Sequence, residues 1–178
     1  MPRPGLAIEP LLPAIPLLSG AQQRMERREL AGVTLFDDSY NANPDSARAA
    51  VSTLAGLHGY QRRVLVLGDM LELGAQAGEL HHKLGAEAAQ AGIDLLVLVG
   101  ELARAAAAGE LEAGMDHARV VHFADTPAAA QALDTLIETG DVVLVKGSRR
   151  MQLERVAAAL ASARGERGRL RAAGVSAP

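Results

Sequence analysis

The sequence has no cysteine and no tryptophan, and its aromatic side chains are limited to two tyrosines and two phenylalanines among 178 residues. The lack of cysteine excludes disulfide bonds, thiolate metal sites and cysteine nucleophiles, and it suits a cytoplasmic location, which we predict. So few aromatic side chains argue against a surface on which nucleic-acid bases stack. The formal net charge is -3, whereas nucleic-acid binders usually carry a basic face, so we expect no nucleic-acid partner.

Long apolar runs and glycine-rich nucleotide loops are also missing. No run of about 18 uncharged apolar residues occurs, so we expect no membrane span. The GxxxxGK[ST] pattern of a phosphate-binding P-loop is absent, and no GxGxxG follows the first apolar run, which makes a dehydrogenase improbable. The composition, 49% hydrophobic and 22% charged, is that of a globular protein with room for one sizeable core.

The two ends of the sequence differ in composition from the rest. Prolines at positions 10, 13 and 16 interrupt the apolar stretch near the start. We interpret residues 1–21 as a linker or the remnant of a preceding domain, and a signal peptide is the less favoured alternative. From Arg164 onward the chain is rich in arginine and glycine without periodicity, which predicts a flexible tail over 164–178, with a binding arm as the alternative. The folded domain then covers residues 22–163.

Short apolar runs alternate with segments of helical periodicity, and this alternation predicts the fold. Each run is nearly continuous, as in strands that are buried on both faces of a parallel sheet. Asn43 before Pro44 and Thr126 before Pro127 mark helix starts. We predict an α/β fold with a Rossmann-like, open, doubly wound sheet of about five parallel strands, plus a possible antiparallel edge strand within residues 24–30. The five runs cover residues 33–36, 64–67, 95–99, 120–123 and 142–145.

Polar segments follow the first and last of these runs, at the strand ends where open α/β sheets bind ligands. Residues 37–46 carry several hydrogen-bonding side chains and lead into a helix N-terminus, which favours anions. A capped turn would explain Asn43 but not the other polar side chains. Residues 146–150 place cations beside a glycine, which suits a carboxylate or phosphate, with an ordinary cationic surface as the alternative.

Four strings in this order resemble the C-terminal domain of the Mur ligases, which build the peptide of peptidoglycan. They are DDSYNANPDS at 37–46, GDMLELG at 68–74, the H-x-x-x-G that begins at His81, and VKGSR at 145–149. The YNANP string resembles the dipeptide-adding members of the family, because the members that add one amino acid have a DYAHTP-like string there. The string GAQQRM at 20–25 stands where the family has a P-x-G-R-like string.

The resemblance implies the last part of a three-domain ATP-dependent ligase. In such enzymes an N-terminal domain holds the UDP-sugar and a central P-loop domain binds ATP and Mg²⁺; both domains would be missing partners of this chain. ATP phosphorylates the terminal carboxylate of UDP-N-acetylmuramoyl-tripeptide, and the amine of D-alanyl-D-alanine attacks the acyl phosphate. The resemblance therefore implies that this fragment is inactive alone and carries no catalytic residue and no metal ligand. The alternative is a stand-alone Rossmann-like module that binds a nucleotide or a protein.

The resemblance also implies roles for individual residues of the chain. Arg24 would reach the nucleotide phosphates and Asp38 would lie near the ribose. The residues implied for the nucleotide cleft are Arg24, Asp38, Tyr40, Asn41 and Asn43, and those implied for the dipeptide are Lys146, Ser148 and Arg149. His81 matches a family position without an assigned role, and packing of its helix against the 68–74 loop is one possibility.

Overall fold

The computed structural model describes residues 23–172, with side chains up to Arg164. Six strands form one sheet in the order β1-β2-β6-β3-β4-β5. β1 and β2 are antiparallel, and every other neighbouring pair is parallel. The five predicted parallel strands and the antiparallel edge strand are thus confirmed. The strands are β1 Glu26–Leu30, β2 Val33–Asp38, β3 Arg63–Gly68, β4 Leu95–Val99, β5 Val120–Phe123 and β6 Val142–Lys146.

In the described residues five α-helices connect or follow the strands; one begins at Pro44 and another begins at Thr126, one residue before Pro127. At the first, Asn43 is the N-cap: the Ser46 N–H donates to Asn43 Oδ1 over 2.8 Å. At the second, the N-cap is Asp125 rather than Thr126, because the Asp125 carboxylate accepts the Ala128 N–H. No helix within residues 23–172 combines the length and apolarity needed to cross a bilayer. The helices are α1 Pro44–Ala55, α2 Ala77–Gln90, α3 Arg104–Glu112, α4 Thr126–Leu136 and α5 Glu154–Ala172.

Both faces of the sheet are covered by helices, and this explains the continuous apolar runs. Along β3, Leu65 and Leu67 pack in the core formed with α1, α2 and α3, whereas Val64 and Val66 pack in the core formed with α4 and α5. Successive side chains of a strand point to opposite faces, so a strand with two buried faces has no polar alternation. The fold is therefore the doubly wound sheet that the sequence predicts.

The C-terminal helix differs from the prediction, because α5 continues to Ala172 where a flexible tail was expected from Arg164. Arg164 is buried: its Nε donates to Asp134 Oδ1 over 2.5 Å, and its Nη2 donates to the carbonyls of Asp134 and Ile137 near the end of α4. Last-turn carbonyls have no partner within their own helix, so a buried arginine can satisfy them. The tail prediction is wrong for 164–172, while 173–178 and the predicted linker 1–21 lie outside the described residues.

Candidate functional site

The insertion of β6 between β2 and β3 creates a crevice at the carboxyl edge of the sheet. The helices that follow β2 and β3 pack on one face, while α5, which follows β6, packs on the other. The loops therefore diverge on either side of β6, which is where open α/β sheets bind their ligands. This topology brings the polar segment after β2 next to the cationic segment after β6, as predicted from the sequence.

Two adjacent cavities open at this crevice and share the wall formed by residues 41–43. Cavity A has a volume of about 320 Å³ and cavity B of about 370 Å³. The lining of cavity A includes Arg24, Asp38, Tyr40, Asn41, Asn43 and Lys146. The lining of cavity B includes Asn41, Asn43, Glu72, Ser148, Arg149 and Arg150. All eight residues implied by the resemblance thus lie at one crevice, although Lys146 faces cavity A and not the cavity of Ser148 and Arg149.

Lys146 holds the turn after β2 in place. Its Nζ donates to Asp38 Oδ2 over 2.6 Å and to the Asn41 carbonyl over 2.9 Å. The other carboxylate oxygen of Asp38 accepts the Met25 N–H over 3.2 Å. Val142 and Leu144 face the α1 side of the sheet, and alternation along the strand puts Lys146 on that same side, beside the turn. One buried ammonium group therefore ties three segments of chain together at the floor of cavity A.

Ser148 joins the two loops that form cavity B. Its Oγ accepts the Leu71 N–H over 2.8 Å and donates to the Ala42 carbonyl over 3.3 Å. Its own N–H donates to the carbonyl of Asp69 over 3.0 Å. The residue is buried, so these bonds fix its hydroxyl in the wall of cavity B. The Oγ atom accepts one hydrogen bond and therefore uses one of its two lone pairs. Ser148 consequently sets the spacing between the 41–43 wall and the 68–74 loop.

Tyr40 lies at the rim between two arginines. The Arg24 guanidinium carbon lies 4.4 Å from the ring centroid of Tyr40, and that of Arg149 lies 5.6 Å from it. Arg149 Nη1 also donates to Gln23 Oε1 over 2.5 Å. Such cation–π contacts are each worth about 0.5–1 kcal/mol at exposed sites. Tyr40 is 44% exposed, so this stack presents a flat, cationic rim that an anionic or aromatic ligand can contact.

Part of the polar segment after β2 serves the turn itself. Asn43 uses its side-chain oxygen as the cap of α1, and Asp37 is buried with its Oδ1 accepting from both the N–H and the hydroxyl of Ser39. Asn41 Oδ1 accepts the Arg149 N–H over 3.4 Å, which links the wall to the segment after β6. The capped-turn interpretation therefore accounts for Asn43 and Asp37, while Asp38, Tyr40 and Asn41 face the cavities.

The H-x-x-x-G string positions the 68–74 loop and the third helix. His81 is fully buried; its Nε2 accepts the Met70 N–H over 2.9 Å, and its Nδ1 donates to the Ala77 carbonyl over 2.7 Å. A Cβ atom built on Gly85 would lie 2.0 Å from the Ala106 carbonyl oxygen of α3, so only glycine permits this close approach. The possibility that His81 serves packing against the 68–74 loop thus has a geometric basis.

Sequence reasoning did not single out three charged residues near the crevice. Glu72 and Arg150 line cavity B, and Asp69 accepts the Ala103 N–H just before α3 over 2.7 Å. These residues lie in the string GDMLELG or directly after VKGSR, but spacing alone does not tell which side chains face a cavity. No group of three histidine or acidic side chains suited to a metal ion occurs in the part of the chain that the structure describes.

Comparison with known proteins agrees with this geometry. Residues 23–149 match the family model described as "Mur ligase, glutamate ligase domain". The chain is 36% identical over 143 residues to the UDP-N-acetylmuramoyl-tripeptide–D-alanyl-D-alanine ligase of Bacillus subtilis, covering 78% of this chain and 31% of that protein. It is 44% identical over 132 residues to the Escherichia coli ligase of the same name, covering 71% of this chain and 26% of that protein.

Solved structures give the same result. MurF from Acinetobacter baumannii superposes with a TM-score of 0.76 at 33% identity, covering 88% of this chain and 34% of that one. MurF from Thermotoga maritima, solved in complex with ADP, has a TM-score of 0.68 at 26% identity, covering 88% of this chain and 37% of that one. The chain thus spans about a third of the length of the relatives it matches. The strings, the fold and these matches together show that the chain belongs to the Mur ligase family.

Proposed function

We propose that this chain is the C-terminal domain of an ATP-dependent ligase that joins D-alanyl-D-alanine to UDP-N-acetylmuramoyl-tripeptide in the cytoplasm. The observation that carries the proposal is the pair of adjacent cavities lined by the residues of the YNANP and KGSR strings. The curated relatives named for this reaction match the chain at 36% and 44% identity. Two neighbouring cavities suit an enzyme that must bring together two reactants, one of them activated by a nucleotide.

Cavity A would contact ATP when the domains close. The ADP complex of the Thermotoga relative supports a nucleotide as one ligand of this fold. Arg24 and the rim stack with Tyr40 offer a cation and a ring face to phosphates and base. Asp38 and Asn41 offer oxygens and an amide for the ribose. ATP and Mg²⁺ would be bound mainly by the central domain that the relatives carry outside the matched portion.

Cavity B would receive the dipeptide. Arg149 and Arg150 supply guanidinium groups that can bind a carboxylate through two parallel hydrogen bonds. Anchoring the carboxylate leaves the amino end of the dipeptide to attack an acyl phosphate, and holding both reactants in place lowers the barrier. An acyl phosphate must also be shielded from water, so the reaction requires closure of this domain against the other two. On this proposal the chain alone does not ligate.

A domain exchange tests the proposal. Residues 22–172, which include all of α5, would replace the matched portion of the E. coli ligase, and product would be followed with ATP, Mg²⁺, the UDP-tripeptide and D-alanyl-D-alanine. We expect ligation by the chimera and none by the 178-residue chain. Arg27→Ala, at an exposed residue of the edge strand that lines neither cavity, serves as a control that keeps activity. A folded chimera that does not ligate, together with nucleotide binding by the isolated 178-residue chain, would favour the stand-alone binding module instead.

A further inference from the structure

Glu72 occupies an unusual position at the tip of the 68–74 loop. Its φ is 66°, in the left-handed region that residues other than glycine seldom adopt. Such a conformation persists when the surrounding structure holds it, and it is concentrated at ligand sites. The side chain lines cavity B. Glu72 thus has a strained backbone and an exposed carboxylate in the lining of cavity B.

The loop around Glu72 is fixed by two side chains from other elements. The Met70 N–H is bound by His81 and the Leu71 N–H by Ser148. The hydrogen bonds therefore end directly before Glu72, and they hold the backbone while leaving the carboxylate unused. Among the described residues none forms a hydrogen bond or an ion pair with the Glu72 side chain.

The lining of cavity B also carries unneutralised positive charge. Arg150 forms no hydrogen bond or ion pair with the residues whose side chains the structure describes. Arg149 is partly engaged, since its guanidinium bonds Gln23 and lies 3.8 Å from Glu154. A carboxylate and a guanidinium thus line one cavity of about 370 Å³ without pairing with each other. A small molecule that carries both a positive and a negative charge could pair with the carboxylate and with the guanidinium.

We propose that Glu72 is a specificity-determining residue that binds the ammonium group of the incoming dipeptide, while the dipeptide carboxylate faces Arg149 and Arg150. This inference rests on the proposed function, because it takes D-alanyl-D-alanine as the ligand of cavity B. It explains why a charged residue occupies a strained tip that glycine would fill more easily. It also assigns a ligand class to the cavity, a short zwitterionic peptide, that the arginines alone would not define.

The test compares two ligands that differ only in the amino group. Amide chemical shifts of the 178-residue chain would be followed during titration with D-alanyl-D-alanine and with N-acetyl-D-alanyl-D-alanine, which has no ammonium group. Three variants would be compared: Glu72→Gln, Glu72→Asp and, as the matched control, Glu101→Gln. Glu101 is exposed and, like Glu72, follows a β-strand at this edge of the sheet, but it does not line cavity B.

We expect the chain to bind the free dipeptide at least about tenfold more tightly than the acetylated one, the effect of one charge-assisted hydrogen bond. Glu72→Gln should remove that preference by weakening only the free dipeptide, Glu72→Asp should retain part of it, and Glu101→Gln should retain all of it. If Glu72→Gln weakens both ligands equally, or neither, the role of Glu72 is overturned and the proposed function stands. If neither ligand shifts the amides of 41–43, 71–73 and 148–150, this inference is overturned together with the assignment of the dipeptide to cavity B, whereas ligation itself is decided by the domain exchange.

Discussion

Lys146 Nζ lies 2.6 Å from Asp38 Oδ2, although 108 residues separate the two in the chain. The two residues are partners in the register of the parallel strands β2 and β6. Their side chains are only 3% and 16% exposed, so the pair is largely removed from water. The contact therefore connects the order of the strands to the shape of cavity A.

Replacement of Lys146 by methionine should destabilise the chain. It leaves the Asp38 carboxylate and the Asn41 carbonyl without their buried cation, and loss of one partner of a buried pair costs about 3–5 kcal/mol. Urea unfolding of Lys146→Met measures this loss. The double variant Lys146→Met with Asp38→Asn should recover part of it, because no uncompensated charge remains. A double variant as unstable as the sum of the two single ones would contradict the coupling.

Replacement of Arg149 by alanine should affect use of the dipeptide more than use of ATP. The residue lines cavity B, while its contact with cavity A is limited to the Tyr40 ring. In the domain-exchange ligase, KM for D-alanyl-D-alanine should rise roughly tenfold or more, as expected for one charge-assisted hydrogen bond. Arg27→Ala provides the control. Equal increases in KM for both substrates would remove Arg149 from the dipeptide site.

Replacement of His81 by phenylalanine should loosen the 68–74 loop. The ring would still fill the space, but the Met70 N–H would remain buried without a partner, at a cost of about 1–3 kcal/mol. Urea unfolding and hydrogen exchange at the Met70 amide measure the two effects. His82→Phe is the matched control, because His82 is partly exposed and pairs only with the exposed Glu112. Unchanged exchange at Met70 in the His81 variant would contradict the positioning role.

Glu110 on α3 should make stability depend on pH. Burial raises the pKa of this carboxyl from 4.5 to about 8, and neither of its oxygens has a hydrogen-bond partner in the structure. The folded state therefore holds a proton that the unfolded state releases between pH 4.5 and 8. The free energy of unfolding should fall as pH rises through that window and then level off, by at most about 5 kcal/mol.

Urea unfolding of Glu110→Met across pH 5 to 9 tests this dependence. The variant replaces the carboxyl by an apolar group of similar size, so its stability should lack that decline and should exceed that of the unmodified chain at pH 8. Glu112→Gln, a change at an exposed carboxyl two residues away, should keep the decline. A Glu110→Met curve parallel to that of the unmodified chain would show that other groups cause the pH dependence.

The sequence predicts the sheet well because its strands are buried on both faces. An uninterrupted apolar run such as 95–99 cannot lie at the surface, so it indicates a buried strand. The N-cap at Asn43 and the turns that contain glycine mark the boundaries between elements. The end of α5 was not predictable in the same way. The sequence after Arg164 has no periodic apolar stripe, so its composition predicts a polar tail. The contact that the structure describes at its start is that of Arg164 with the end of α4.

The location of the candidate site was also predictable, but the orientation of its side chains toward one cavity or the other was not. The rule that ligands bind beyond the carboxyl ends of strands identifies residues 37–46 and 146–150. It does not decide that Lys146 turns to cavity A or that Asp37 turns into the protein, since strand alternation and local turns decide that. The sequence did not single out Glu72, because nothing in it indicates that this residue has a left-handed backbone conformation.

The strand at the centre of the sheet, β6, is the last strand among the described residues. During synthesis, β2 and β3 leave the ribosome more than seventy residues before β6 (Val142–Lys146), which separates them in the finished sheet. A nascent chain can therefore assemble neither cavity until nearly all of the domain has emerged, and the inner edges of both strands stay unpaired until then. The candidate site thus forms only when translation of this domain is almost complete.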